Sequence, residues 1–240
     1  MDPEKEHAHI LLISEMGAEL AEALDSLAGK PATPIDRYLF SMCQGVCLVS
    51  HGFITLVRAG NLHASRVLIR TGIETTLKLA AVYEEPTILY RIAYSEFKED
   101  GKFIKAAGEN QVRTNLAAHN AKWEEASKAF AALFPGKELS DDEISVYDLA
   151  RVAKLPYLYD FYFRLYCNYT HATLRAHSSP EHFVPEVDYS AIESATYATL
   201  VVAGKKLGAS CAQLTKYSER IRALTEPSKP PPMPQVSSSE

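Results

Sequence analysis

The sequence predicts an all-α protein, a single helical bundle with a charge-free central helix and one long, partly solvated helical arm. Three observations carry that expectation. Apolar residues recur three and four positions apart along most of the chain, the spacing that lays one face of a helix against a core. Runs in which apolar and polar residues alternate, as a half-buried strand requires, are almost absent. The stretch "YLFSMCQGVCLVSHGFITLV", residues 38–57, holds no Lys, Arg, Asp or Glu and suits a helix surrounded by other helices. At 240 residues and 47% hydrophobic, the chain can bury one large core. Residues 1–225 are expected to form that bundle and 226–240 a disordered tail, since "TEPSKPPPMPQVSSSE" has too little apolar surface to order itself.

Each element has its own signal. "EKEHAHILLISEMGAELAEALDSLAG" carries the helical apolar spacing and stops at Gly29. Thr33 and Pro34 start the charge-free helix as cap and first-turn proline. "AGN", residues 59–61, breaks it, and Asn61 caps a third helix to about Tyr83. Pro86 opens a fourth, charge-rich helical segment with breaks expected at Gly101 and Gly108. "PGKELSDDEIS" reads as a loop. Helices are then expected over 146–154 and 156–176, followed by the loop "HSSPEHFVPEVDY" and a last helix from about Ser190 to Leu224.

Charge and motifs narrow the function. A formal charge of −5 with both signs interspersed gives no basic footprint for DNA, so a nucleic-acid contact would have to be local. Residues 38–57 have the length of a membrane span, but Gln44, His51 and two glycines are better satisfied in a protein interior, and no second span is present to pair with it. "MDPEKEHAHI" lacks the design of a signal peptide, so the four cysteines are expected to be reduced thiols in a cytoplasm. Cys43, Cys47 and His51 recur every fourth residue without an evident fourth ligand, and no metal or cofactor is expected. Phosphate-cradling glycine loops, a nucleophile elbow and paired carboxylate motifs are absent.

Two polar stripes supply the candidate site. In "DFYFRLYCNYTHATLRAH", at about 100° per residue, Asp160, Arg164, Asn168, His171 and Arg175 share one face between apolar flanks. On the third helix Arg66, Arg70, Glu74 and Lys78 follow at four-residue spacing. They read either as a surface ladder of opposite charges or as a second wall, with Arg70 and Glu74 hydrogen-bonding to Arg164, Asn168 or His171 across the bundle. Tyr162, Tyr166 and Tyr169 beside Arg70 would then line a pocket for an acidic or aromatic ligand.

Leu68-Ile69-Arg70 with Glu74, together with "FRLYCNYTHAT", resembles the bacterial domain-of-unknown-function family 5677 over residues 40–205, with Cys167 standing where that family often has serine. Arg164 followed by His171 is also similar to the signature of the HEPN helical ribonucleases and abortive-infection toxins. Arg58/His63, Arg113/His119 and Arg175/His182 share the spacing, and Arg164/His171 is set apart by its aromatic helix and by Asn168 on the same face. That resemblance implies RNA cleavage without metal, usually across a homodimer interface, with Arg164, Asn168 and His171 as catalytic residues. Arg70, Glu74, Tyr166 and Arg175 would be binding residues. The other reading is a non-catalytic helical module that binds a small ligand or a partner protein through the same stripe.

Overall fold

The computed structural model describes residues 1–31, 33–107, 116–170 and 185–225, with only the backbone described for Asn168, Tyr169 and Thr170. Among the described residues there are nine α-helices, one π-helical turn and no strand, so the protein is an all-α helical bundle. The helices are α1 (Pro3–Leu27), α2 (Pro34–Arg58), α3 (Leu62–Glu84), α4 (Ile88–Ala107), α5 (Leu116–Leu133), α6 (Val146–Val152), α7 (Arg164–Thr170), α8 (Pro185–Leu207) and α9 (Leu214–Thr225). The π-helical turn, Leu158–Phe163, runs directly into α7.

The starts and stops follow local chemistry. Asp2 caps α1, and Thr33 and Asp36 close a capping box on α2 with Pro34 in its first turn. Asn61 caps α3 through its side-chain oxygen, 3.2 Å from the Ala64 amide. The helix expected over 190–224 is two helices. Gly208, at φ 73°, ends α8 in the left-handed region, and the Ala209 amide returns to the Ala203 carbonyl at 3.2 Å, six residues back. Gly101, in contrast, is carried through inside α4.

α1, α2, α3 and α8 pack on one another and bury a continuous apolar cluster running from Leu12 to Tyr217. α2 and α3 approach so closely that a Cβ on Gly72 would stand 2.9 Å from Val49 Cγ1. The charge-free helix α2 is long and apolar enough to cross a membrane, yet in the bundle it is one wall rather than the centre. Leu39, Cys43, Val46 and Phe53 point inward, while Arg37, Ser41, Gln44, Leu48, His51 and Thr55 form an exposed stripe, with Leu48 73% exposed. The helix buried on all sides is α8, which has no exposed residue from Glu186 to Gly204 although it carries Asp188 and Glu193. Two buried carboxylates hide its central position from a search for charge-free helices. They are tolerated because other helices bring them partners.

The expected arm is a pair of helices, α4 and α5. No residue of α5 is buried, and α5 rests on α4 through Trp123, His119 and Phe130. The loop 134–145 ties α4 to α6. Arg91 donates to the Asp142 and Glu143 carbonyls, and the Ile144 amide donates to Ser95 Oγ at 2.9 Å.

Candidate functional site

Helix α3 is where the candidate residues meet. Its Arg66 donates from Nε to Asp188 Oδ2 at 3.3 Å, and the Tyr166 hydroxyl donates to Asp188 Oδ1 at 2.6 Å. One carboxylate thus joins α3, α7 and the start of α8. Burial pushes the Asp188 carboxyl up to about 6, with the Tyr166 hydrogen bond and Arg66 opposing that rise. The Tyr166 hydroxyl is also pushed up, first by burial and then by the adjacent carboxylate, so it serves as a donor.

Arg70, one turn beyond Arg66, is held differently. Its guanidinium lies 5.4 Å from the centre of the Phe163 ring, and its buried Nε has no hydrogen-bond partner among the described residues. Glu74 instead pairs with Lys78 at 3.5 Å, and Lys78 reaches Glu96 on α4 at 3.1 Å. The α3 stripe therefore divides. Its first half turns inward, and its second half is the opposite-charge ladder that four-residue spacing favours.

Below that site, α8 carries a buried polar seam. His9 Nδ1 lies 2.6 Å from Glu193 Oε1, both side chains fully buried, and the other atoms of the pair, His9 Nε2 and Glu193 Oε2, have no hydrogen-bond partner among the described residues. The His9 ring stacks on Tyr189, whose hydroxyl donates to Glu6 at 2.8 Å. Ser50 meets Thr196 at 2.7 Å, and Thr76 meets Thr199 at 3.3 Å. This pairing fixes the rotation of α8 against α1, α2 and α3.

The π-helical turn sets the orientation of the aromatic run. The Arg164 amide bonds to the Tyr159 carbonyl, five residues back. Such a turn takes in one residue more than an α-turn, and each residue is worth about 100° of rotation. A helical wheel drawn at one uniform angle from Asp160 to His171 therefore does not hold across it. Leu158, Phe163 and Tyr166 face the core, while Tyr157, Asp160, Phe161 and Arg164 are exposed.

The predicted site residues are thus distributed over distinct surroundings. Arg164 stands in solvent, apart from the described contacts of Arg70 and Glu74. Tyr166 is fully buried on Asp188 and does not line an open pocket, because its hydroxyl is needed to satisfy that carboxylate. The Asn168 side chain, His171 and Arg175 lie outside the described residues. The sequence reading missed His9, Asp188 and Glu193. The one signal for them was a pair of acidic residues in α8 with no polar face around them.

No three His, Cys, Asp or Glu converge on a metal position among the described residues. Cys43 is buried, with its thiol pushed up to about 12 by burial, whereas His51 is exposed, so that column does not close on one point. A family model, the family of unknown function DUF5677, matches residues 36–186. The chain belongs to that family. The matched span includes Arg66, Arg70, Glu74, Arg164 and Tyr166, while His9, Asp188 and Glu193 come from segments beyond it. No curated protein and no solved structure matches the chain.

Proposed function

We propose that the protein is an intracellular RNA-directed effector of HEPN-like type, a metal-independent ribonuclease that serves as a toxin or in phage defence and acts as a homodimer. The observation that carries the proposal is Arg70, a guanidinium held against Phe163 whose buried Nε has no hydrogen-bond partner among the described residues. A cation set in this way is suited to an anion such as a phosphate. Arg164, exposed at the start of α7, is a second cation within the matched span.

The chemistry assigned to these residues is internal transesterification. His171, as a neutral imidazole, takes the proton of a 2′-hydroxyl, whose oxygen attacks the adjacent phosphorus; the bond from phosphorus to the 5′-oxygen of the next nucleotide breaks, leaving a 2′,3′-cyclic phosphate, and the departing 5′-oxygen takes the proton back from the imidazolium. Arg164 neutralises charge on the phosphorane, and Asn168 orients the reacting groups. Purified protein incubated with total RNA in EDTA is expected to cleave it, and His171→Ala and His171→Gln to be folded and equally inactive. RNA left intact by folded wild-type protein would overturn the nuclease. The second reading, a non-catalytic module, draws on the completeness of the buried Arg66–Asp188–Tyr166 cluster, which serves architecture as well as it would serve recognition.

A further inference from the structure

The π-helical turn displays large rings on its solvent side. Tyr157, just before the turn, is 50% exposed and Phe161, within it, 60% exposed, and Arg164 is exposed three residues further on. Large exposed rings are costly in water, and here the core does not need them, because Leu158, Phe163 and Tyr166 of the same segment already fill it.

Beside them runs a second series of rings. Tyr147, 45% exposed, meets Tyr159 edge to face at 5.3 Å, and Tyr159 stacks on Phe163 at 5.5 Å. A guanidinium closes each end, with Arg151 at 5.9 Å from the Tyr147 centroid and Arg70 at 5.4 Å from that of Phe163. The exposed cations on this side are Arg151, Lys154 and Arg164, with Lys154 paired to Glu84. Asp160 is the acid among the exposed residues of the turn. With Lys154 held by Glu84, the cations left to draw phosphate are Arg151 and Arg164, against Asp160.

We infer that this aromatic and cationic face binds single-stranded RNA, with unpaired bases stacking on Tyr157 and Phe161 and the backbone phosphates drawn to Arg164 and Arg151. The inference rests on the RNA-directed reading above and names its substrate as unpaired rather than duplex RNA. Every base offers a π-face and every nucleotide a negative charge, so alternating rings and guanidiniums suit a flexible strand of any sequence. A duplex keeps its bases stacked on one another and could reach only the cations.

The test uses a fluorescent 12-nucleotide RNA in which each 2′-hydroxyl is methylated. That strand lacks the nucleophile for cleavage, so binding is measured apart from catalysis. Anisotropy titrations are expected to show binding of the single strand and markedly weaker binding of a duplex of the same length. Phe161→Ala and Tyr157→Ala should each weaken the single-strand complex by about 5-fold or more, the lower end of what one base-on-ring stack contributes. Phe103→Ala, which removes another exposed ring on the arm, should leave it unchanged.

Ring-dependent binding by a protein that cleaves nothing would sustain this inference while removing the nuclease. Cleavage of natural RNA, with single-strand binding indifferent to Tyr157 and Phe161, would overturn this inference and leave the nuclease standing. A wild-type dimer that Phe161→Ala turns into a monomer, with no change in RNA affinity, would assign the face to self-association and likewise overturn it.

Discussion

The seam along α8 and the α4–α5 arm are both helical, but they are held by different means. In the seam, Asp188, Glu193, Thr196 and Thr199 are buried and meet partners on α1, α2, α3 and α7. In the arm, α5 has no buried residue and leans on α4 through Phe97, which stacks on His119 at 4.5 Å and on Trp123 at 4.9 Å. Apolar periodicity forms a helix in either setting, whereas buried polar pairing decides which helix is locked into one orientation. Energetic cost follows the same division. Breaking a pair in the seam strands its partner away from water, whereas loosening the arm returns its groups to solvent.

The largest effect is expected at His9 and Glu193. Glu193→Ala or His9→Ala should each cost about 3–5 kcal/mol in urea unfolding, because each leaves the other polar group buried alone. Replacing both by leucine should cost less than the sum of the two single changes. A single variant as stable as wild type would show that this pair does not hold the seam.

A somewhat smaller effect is expected to depend on pH at Asp188. Burial raises its folded pKa to about 6 from 3.8, so its contribution to stability is full below about pH 4 and is lost as pH rises through 6. Asp188→Asn should therefore gain on wild type between pH 4 and pH 7 by on the order of 3 kcal/mol. A stability difference between the two proteins that stays flat over that range would contradict the burial of an ionisable carboxyl here.

The smallest free energies belong to the arm, and Trp123, the chain's one tryptophan, reports on it. Tryptophan fluorescence should change at lower urea than the far-UV circular dichroism of the whole helical body, since separate units need not unfold together. Phe97→Ala should move the fluorescence transition further while shifting the main transition by less than about 0.5 kcal/mol. Coincident transitions in wild type would erase the distinction between arm and body.

Fold class, most helix ends and the dissection into body and arm were legible in the amino-acid order alone, because these depend on contacts within a few residues. Thr33, Asn61 and Gly29 act on their own neighbouring backbone, and three-to-four spacing defines a face whatever covers it. Arg66, Arg70, Glu74 and Lys78 were legible in the same way as one polar stripe. Where that stripe leads was settled by packing between distant segments, with Arg66 to Asp188, 122 residues away, Arg70 to Phe163, and Lys78 to Glu96. Packing also settled that α8 rather than α2 is enclosed, because a buried carboxylate is excluded or tolerated according to the partner a distant helix delivers. His9 and Glu193 are 184 positions apart, and no local pattern in either segment announces the other. The π-helical turn makes the same point at short range. One extra residue in a turn rotates every residue after it, and beyond this turn Tyr166 goes inward onto Asp188 while Arg164 remains in solvent.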